Sequence, residues 1–324
     1  MRILITGITG MVGSHLADFL SEEHPEHELF GLIRWRSPQD NILQVRDKVS
    51  LELGDLNDMA SLLRVLEKVR PDWIFHLAAQ SFVTQSFWAP VDTLGTNILG
   101  TTNLLEAVRS LGLDPLIHVC SSSEVYGDVT EDEIPITESS PMRPASPYAV
   151  SKVGEDMIAM QYHLSHGLRT LRTRMFTHTG PRRGPVFAES SFAKQIAEIE
   201  LGVASNPVRV GNLDSIRTIA DVRDTVRAYW LLMEHGVPGE VYNIGGVEQM
   251  TIAEVLETLK GLAKVDIRHE IDPSLLRPSD VTLQIPSISK FQNLTGWRPR
   301  ISAKQTLADL LDYYRARVRA ETSQ

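Results

Sequence analysis

The chain has 324 residues, 42% hydrophobic and 23% charged, a composition typical of a folded globular protein with one large or two smaller domains. The formal net charge of −9 argues against a nucleic-acid partner, which needs a basic surface. The single cysteine, Cys120, excludes an internal disulfide, and no segment is typical of a membrane span or an export signal, so we expect a cytoplasmic protein without a membrane partner.

Short apolar runs alternate with amphipathic segments through the first half of the chain. Predicted strands span residues 2–6, 29–33, 49–53, 73–77 and 116–120, and predicted helices span residues 11–22, 60–69 and about 91–110. Strands separated by helix-length segments indicate βαβ units, and short continuous apolar strands indicate a parallel sheet covered on both faces. Right-handed crossovers then favour an α/β fold with a doubly wound parallel sheet of the Rossmann type.

The pattern changes after about residue 176, where longer polar connections separate the helical stretches. These stretches lie near residues 189–202, 222–235, 252–263 and 303–316. We therefore expect a Rossmann domain at residues 1–176 and a smaller, mainly helical lobe at residues 177–324. The chain is expected to cross back toward the sheet around residues 205–245, where residues 241–244 form a further candidate strand.

A glycine motif lies between the first predicted strand and the first predicted helix. Gly7 would form the tight turn, Gly10 would let the backbone approach a pyrophosphate, and Gly13 would let helix and strand pack closely. A phosphate would then bind the unpaired N–H groups at the positive end of the helix. We expect a dinucleotide at this loop, which also contains Thr9, Met11 and Val12.

The end of the second strand indicates which dinucleotide binds. It carries Arg34 and Arg36, with no carboxylate before Asp40. A carboxylate would accept hydrogen bonds from the ribose of NAD, whereas two guanidinium groups suit the extra 2′-phosphate of NADP. NADP is the predicted cofactor and NAD the alternative, unless the arginines form only a solvated turn. Asp55 and Leu56 would meet the adenine, or Asp55 would cap the next helix.

Tyr148 and Lys152 are four residues apart, on one face of a predicted helix. A nearby ammonium group lowers the pKa of a phenol, so Tyr148 would exchange a proton with a carbinol during hydride transfer. The alternative is a partly buried tyrosine beside a surface lysine. The serine-rich end of the fifth strand and the glycine loop favour the catalytic interpretation.

These features together resemble the extended short-chain dehydrogenase/reductase family over nearly the whole chain. The matching segments are the glycine loop, Asp55-Leu56, residues 76–79, 97–101, 121–127, 147–152, 243–245 and 296–299. The resemblance implies a catalytic centre of Ser122, Tyr148 and Lys152, with Asn97 in support. It also implies a C-terminal nucleotide-sugar domain and cofactor contacts from Leu77, Ala78, Ala79, Tyr148 and Lys152.

Within that family the chain is most similar to GDP-mannose 4,6-dehydratases and the related GDP-4-keto-6-deoxymannose reductases. Residues 78–83, 178–184 and 277–281 carry this similarity, and Ser122, Ser123 and Glu124 match the dehydratase pattern. It implies oxidation at C4, removal of the C5 proton by Glu124, loss of the C6 hydroxyl, and return of the hydride to C6. The alternative for Glu124 is a cap or an ion pair at the strand end.

Other functions stay open from sequence alone. A 4-reductase would use Ser122 and Tyr148 without the elimination, and residues 192–197 and 277–299 are at least as similar to reductases. A 4-epimerase and a non-enzymatic nucleotide sensor are further alternatives. Arg182 and Arg183 favour the dehydratase, since they resemble a loop that reaches a neighbouring subunit's cofactor, and Arg183 is an expected cofactor contact.

Several residues are expected to bind the nucleotide sugar. Lys194, Arg217 and Arg277 lie in segments that hold the diphosphate in relatives, with plain surface charge as the alternative. The remaining expected contacts are Ser81, Ser123, Glu124 and Thr177. Thr177 and Thr218 replace an asparagine and an aspartate of the family pattern, which leaves the exact sugar and base open.

Metal binding is not expected. The pairs His24/His27 and His163/His166 each lack a convincing third ligand in the sequence. Helices around residues 97–106 and 148–160 form a bundle between subunits in relatives. We therefore expect a homodimer or homotetramer.

Overall fold

The computed structural model describes residues 1–278 and 280–322. Its strands are β1 (Arg2–Thr6), β2 (Glu28–Ile33), β3 (Val49–Leu53), β4 (Trp73–His76), β5 (Leu116–Ser122), β6 (Arg169–Met175), β7 (His178–Thr179), β8 (Val208–Val210), β9 (Ile216–Asp221), β10 (Val241–Ile244), β11 (Glu248–Thr251), β12 (His269–Ile271) and β13 (Leu283–Gln284). Its helices are α1 (Met11–Glu23), α2 (Met59–Val69), α3 (Val83–Trp88), α4 (Pro90–Leu94), α5 (Gly100–Ser110), α6 (Pro147–His166), α7 (Ala188–Glu200), α8 (Val222–His235), α9 (Ile252–Gly261), α10 (Ser289–Thr295) and α11 (Ala303–Thr322). None of these helices is both long enough and apolar enough to cross a bilayer.

A parallel sheet with the strand order β10-β6-β5-β4-β1-β2-β3 forms the centre of the molecule. The predicted doubly wound α/β fold is therefore confirmed. Strands are added toward one edge from β1 to β3 and toward the other edge from β4 on, so the strand order reverses between the parallel strands β1 and β4 and opens a crevice at their carboxyl ends. Gly7 follows β1 and Leu77 follows β4, so both lie at this crevice.

Side chains of the central strands alternate between two apolar cores, as the two-residue period of a strand requires. Ile3 and Ile5 pack against α1 and α8, while Leu4 packs against α2 and α5 on the other face. All three are fully buried. Burying each such side chain contributes about 1.5–3 kcal/mol, so covering both faces is what stabilises the sheet.

A second lobe has its own core between α7, α9 and α11, where Ile196, Leu256 and Leu307 are buried together. A small sheet of β11, β9 and β13, with β7 beside β9, lies between this core and the large sheet. After residue 176 the chain also returns to the first lobe, since β10 pairs with β6 and α8 packs on α1. We propose that the division at residue 176 separates the two functional lobes despite this crossing.

The helix predicted at residues 91–110 differs in detail from the structure. A π-helical turn, Gly95–Leu99, connects α4 to α5, and the short helix α3 precedes them. Ala89 separates α3 from α4 because a residue before proline is disfavoured in the helical region. π-Helical turns of this kind are frequent at functional sites. Here the turn carries Asn97, one of the family residues.

Candidate active site

The glycine loop forms a cradle at the crevice. Gly7 has φ +71°, and a Cβ there would lie 2.8 Å from the backbone of Ala78. A Cβ on Gly13 would lie 2.3 Å from the Gly7 carbonyl oxygen. Gly10 precedes α1, and no side chain in the described part of the chain caps this helix start. The uncovered N–H groups and the close backbone packing fit a dinucleotide pyrophosphate.

Thr6, at the end of β1, holds the segment that follows β4 on the other side of the crevice. Its Oγ1 accepts hydrogen bonds from the N–H groups of Leu77 and Ala78, each at 3.1 Å, and lies 2.8 Å from His76 Nδ1. These bonds end β4 one residue before the predicted end. The expected contacts Leu77 and Ala78 therefore lie beside Gly7, and Ala79 follows half-buried. The role of Thr6 carries no sequence signal.

Arg34 and Arg36 lie in an exposed turn at the carboxyl end of β2. The Ser37 N–H donates to the Arg34 carbonyl at 2.9 Å, and the Arg34 N–H donates to Ser37 Oγ at 3.1 Å. The Arg36 guanidinium lies 4.2 Å from the centroid of the exposed Trp35 ring. Both arginine side chains are solvent-accessible just after the carboxyl end of β2.

Asp55 and Leu56 follow β3. The proposed helix-cap role of Asp55 is wrong, because Asp58 caps α2 by accepting the Ala60 N–H at 3.2 Å. The Asp55 carboxylate instead accepts the Asn57 N–H at 2.9 Å, which tightens the preceding turn. Leu56 is buried and packs against Gly100.

Ser122, Tyr148 and Lys152 are brought together by the end of β5 and the first turns of α6. Ser146 caps α6 by accepting the Ala149 N–H at 3.0 Å, and Pro147 takes the first helical position. The Lys152 Nζ lies 5.9 Å from the centroid of the Tyr148 ring. Burial raises the pKa of the Tyr148 phenol, while Lys152 and a hydrogen bond with Ser122 lower it. The three predicted catalytic residues therefore form one buried site.

The Lys152 ammonium is held by two buried oxygen atoms. Nζ donates to the Cys120 carbonyl at 2.9 Å and to Glu155 Oε2 at 2.7 Å. Burial disfavours the charged form of Lys152. The attraction of Glu155, together with smaller contributions from Tyr148 and Cys120, outweighs the effect of burial, so the pKa of Lys152 is raised. Burial also raises the pKa of Glu155 to about 7. The sequence analysis missed Glu155, whose one signal is its position three residues after Lys152.

Asn97 connects three segments of the site. Its Oδ1 accepts the Gln80 N–H at 2.8 Å, and its Nδ2 donates to the Gln80 carbonyl at 3.0 Å and to Ser151 Oγ at 2.8 Å. Asn97 is fully buried. The supporting role implied by the resemblance therefore has a concrete geometry, since Asn97 joins the segment after β4 to the helix that carries Tyr148.

Glu124 lies in the turn Ser123–Tyr126 after β5 and is half-buried. Burial raises the pKa of its carboxyl group, while Arg217 and Arg277 lower it. Arg217 is anchored by the carbonyl groups of Ile216 (3.0 Å) and Val281. Glu124 therefore lies close enough to Arg217 and Arg277 to feel their charge, and both arginines are half-buried.

The remaining expected substrate contacts differ from one another in burial and in their hydrogen-bond or ion-pair partners. Lys194 pairs with Glu198 at 3.3 Å, one turn along α7, as the surface-charge alternative describes. Ser81 is exposed and Ser123 is buried. Thr177 is half-buried, and its carbonyl accepts the Ala220 N–H at 3.0 Å. Within the motif at residues 277–281, Ser279 lies outside the described residues.

The loop between β7 and α7, which carries Arg182 and Arg183, contacts other parts of its own chain. Arg182 pairs with Asp18 of α1 at 2.6 Å. Arg183 lies 3.5 Å from the centroid of the Phe187 ring, and its Nε has no hydrogen-bond partner within residues 1–278 and 280–322. Burial lowers the pKa of Arg183, opposed by Glu189 and Tyr148. These contacts join the loop to α1 and to the start of α7 in its own chain.

His24 and His27 have a third potential ligand nearby, contrary to the expectation from sequence. Glu26 Oε1 lies 3.8 Å from His24 Nδ1 and 3.2 Å from His27 Nε2. The His24 ring stacks on Trp230, with the ring centroids 3.8 Å apart. The loop lies between α1 and β2, at the opposite ends of the strands from the crevice.

Known proteins are similar to this chain over nearly its whole length. A family model described as GDP-mannose 4,6 dehydratase matches residues 4–310. GDP-6-deoxy-D-mannose reductase of Pseudomonas aeruginosa is 35% identical, with 99% of each chain covered. GDP-mannose 4,6-dehydratase of Yersinia enterocolitica is 34% identical, with 96% of this chain and 92% of the relative covered.

A solved structure gives the same result for the fold. RMD from Pseudomonas aeruginosa, complexed with NADPH, superposes with a TM-score of 0.84 at 32% identity and covers 98% of this chain and 100% of its own. The resemblance stated from sequence is therefore confirmed. The chain belongs to the GDP-mannose 4,6-dehydratase family of extended short-chain dehydrogenases/reductases.

Proposed function

We propose that the chain is an NADP-dependent nucleotide-sugar 4,6-dehydratase that converts GDP-mannose to GDP-4-keto-6-deoxymannose and water. The observation that carries this proposal is Glu124, which lies within the electrostatic reach of Arg217 and Arg277 and follows Ser122 by two residues. A carboxyl group with a raised pKa suits a residue that both accepts and donates a proton.

The residues present fit NADP. The pyrophosphate would bind the glycine cradle at the start of α1, and Arg34 and Arg36 would pair with the 2′-phosphate. The relative RMD is complexed with NADPH, which supports the same cofactor here. When bound, NADP supplies a reversible acceptor and donor of hydride.

The proposed reaction assigns proton transfers to two residues. Tyr148 takes the proton of the C4 hydroxyl as C4 becomes a carbonyl, with Ser122 as its hydrogen-bonding neighbour. The carbonyl acidifies the C5 proton, which Glu124 removes and delivers to the departing C6 hydroxyl as water. The hydride then reaches C6, and a proton returned to C5 balances the one taken by Tyr148.

Two arginines would hold the substrate. Arg217 and Arg277 are half-buried cations near Glu124, Arg277 also lies 3.7 Å from Asp280, and guanidinium groups pair well with diphosphate oxygens. Their charge also favours ionisation of Glu124 when substrate is absent. A bound diphosphate would neutralise this charge and raise the pKa of Glu124, which would favour its action as an acid.

The second candidate is a GDP-4-keto-6-deoxymannose 4-reductase that uses NADPH. One observation favours it: the 35% identical reductase matches 99% of this chain.

Cofactor balance separates the two activities. Purified protein with GDP-mannose labelled with deuterium at C4 should yield a 4-keto-6-deoxy product with the label at C6 and no net use of NADPH. Stoichiometric oxidation of NADPH by the 4-keto-6-deoxy sugar, without activity on GDP-mannose, would select the reductase. The same assay with UDP- and dTDP-linked hexoses tests the base.

We also propose that the protein is a homodimer or homotetramer. Trp88, Val91, Leu99 and Val150 are between 44% and 81% exposed, on neighbouring elements α3, α4, the π turn and α6. Several exposed apolar side chains on neighbouring elements are typical of a protein interface. The single free Cys120 supports a reducing, cytoplasmic compartment.

A further inference from the structure

The Lys152–Glu155 pair is almost inaccessible to solvent. The side chains are 6% and 2% exposed, and the Lys152 Nζ to Glu155 Oε2 distance is 2.7 Å. We propose that Glu155 is a positioning residue: its carboxylate holds the Lys152 ammonium against the Cys120 carbonyl and, by partly neutralising that charge, governs how readily Tyr148 gives up its proton. This proposal rests on the proposed function in one respect, the use of Tyr148 as the proton-exchanging group.

Stability alone does not account for this pair. A buried ion pair recovers its desolvation cost only when the remaining polar atoms are also satisfied. Glu155 Oε1 is buried, and none of the described residues donates a hydrogen bond to it. Leaving a buried carboxylate oxygen without a hydrogen bond is unfavourable. A group held at such a cost beside a catalytic lysine points to a role in the site.

Other charged groups around the pair are already engaged or neutral. Asp156, the next residue on α6, is bound by Arg172 (2.6 Å) and Arg174 (2.7 Å) of β6. His76 on β4 and His118 on β5 face Lys152, and burial lowers the pKa of each to about 3, so both are uncharged at neutral pH. This leaves Glu155 as the counter-charge of Lys152 among the described residues.

The neighbouring Cys120 thiol is also uncharged, because burial raises its pKa. Lys152 lowers the pKa of Tyr148 and Glu155 raises it, so the two charges oppose each other at the phenol. Ionised Glu155 therefore stabilises the protonated phenol, and removal of its charge leaves Lys152 free to stabilise the phenolate. The same geometry serves a dehydratase or a reductase.

Glu155→Gln tests this proposal, because the amide keeps the size and the acceptor oxygen but removes the charge. We would titrate the Tyr148 phenol by ultraviolet difference absorbance in the protein without sugar. Matching proteins that also carry Tyr148→Phe would be subtracted, and circular dichroism would define the pH range in which the fold is intact. We expect the midpoint for Tyr148 to fall by about one pH unit in Glu155→Gln.

A matched control is available on α9. Lys260 and Glu257 are also three residues apart and 2.7 Å apart, but Glu257 is 58% exposed. Glu257→Gln should leave the Tyr148 titration unchanged. Glu155→Asp keeps the charge but withdraws it from Lys152, so we expect a smaller shift in the same direction. This variant also serves as the test if Glu155→Gln does not fold.

The outcomes are distinct. If Glu155→Gln, or Glu155→Asp in its place, lowers the melting temperature but leaves the Tyr148 midpoint where it was, Glu155 is only structural and the proposal is wrong. The measurement uses no substrate, so it stands apart from the proposed reaction. Full turnover in Tyr148→Phe would overturn the proposed function while leaving the link between Glu155 and the phenol measurable.

Discussion

The side-chain amide of Asn97 donates a 2.8 Å hydrogen bond to Ser151 Oγ, and Ser151 Oγ donates in turn to the Tyr148 carbonyl at 2.6 Å. Asn97 also holds both backbone groups of Gln80. A continuous chain of hydrogen bonds therefore runs from the segment after β4, through the π turn, to the first turn of α6. The position of Tyr148 depends on this chain.

Asn97→Ala should destabilise the protein and weaken NADPH binding. The substitution removes the three hydrogen bonds to Gln80 and Ser151, at a cost of about 2–4 kcal/mol, and frees α6 to shift. Chemical denaturation and NADPH fluorescence titration measure the two effects. Asn103→Ala is the control: it removes one 2.8 Å bond to the Leu56 carbonyl, for about 1 kcal/mol. Equal losses in both variants would contradict a special role for Asn97.

Glu124→Gln should remove dehydration while leaving cofactor binding intact. Loss of a general acid–base group lowers the rate by about 10²–10⁴-fold. C4 oxidation does not need this group, so NADPH should accumulate on the enzyme when GDP-mannose is added, visible by its absorbance. Glu133→Gln, in an ion pair with Arg143, is the control and should retain activity. Undiminished dehydration by Glu124→Gln would show that another residue is the base.

Arg34→Ala and Arg36→Ala should each reduce the preference for NADPH over NADH. A charge-assisted hydrogen bond contributes about 1.5–3 kcal/mol, so each variant should lose about 10–100-fold in NADPH affinity with little change for NADH. Binding titrations with both dinucleotides give the ratio. Arg46 is also exposed but lies beyond the turn, and Arg46→Ala should change neither affinity. Parallel losses for both dinucleotides would argue against 2′-phosphate recognition.

Acid should destabilise the fold through its buried histidines. Burial lowers the pKa of His118 from 6.5 to about 3, so the unfolded chain binds a proton that the folded protein rejects. The stability from this neutral histidine is present above pH 6.5 and is lost as the pH falls toward 3, by about 1.4 kcal/mol per pH unit. His118→Gln should flatten the plot of unfolding free energy against pH by that amount. An unchanged slope would show that His118 is not the group that titrates.

Val150→Glu should dissociate the proposed oligomer. Val150 lies on α6, 44% exposed, and an ionised carboxylate in an apolar interface has no partner to offset its desolvation. Analytical ultracentrifugation should show a smaller species for Val150→Glu than for the unsubstituted protein. Val237→Glu, at a 52% exposed site after α8, is the control and should not change the mass. A monomeric unsubstituted protein would refute the interface directly.

Local patterns in the sequence were enough to predict much of this protein. The apolar runs of β1 to β5 and the three glycines after β1 depend on neighbours a few residues away, so they are visible in the chain itself. The Tyr148–Lys152 spacing is equally local. Even the π turn lay within a correctly predicted helical stretch, although its extra residue per turn leaves no mark in the hydrophobic pattern.

Only the tertiary structure decided which distant groups meet. Thr6 reaches the N–H groups of Leu77 and Ala78 because two parallel strands end side by side, and Arg182 binds Asp18 because the loop after β7 folds back over α1. Glu155 is an ordinary helical glutamate in sequence, and it becomes significant when packing against β5 removes water from it and Lys152. The energies of charges and hydrogen bonds depend on burial and on partners far along the chain. Burial and distant partners cannot be read from the residue order, because both are set by the folded structure.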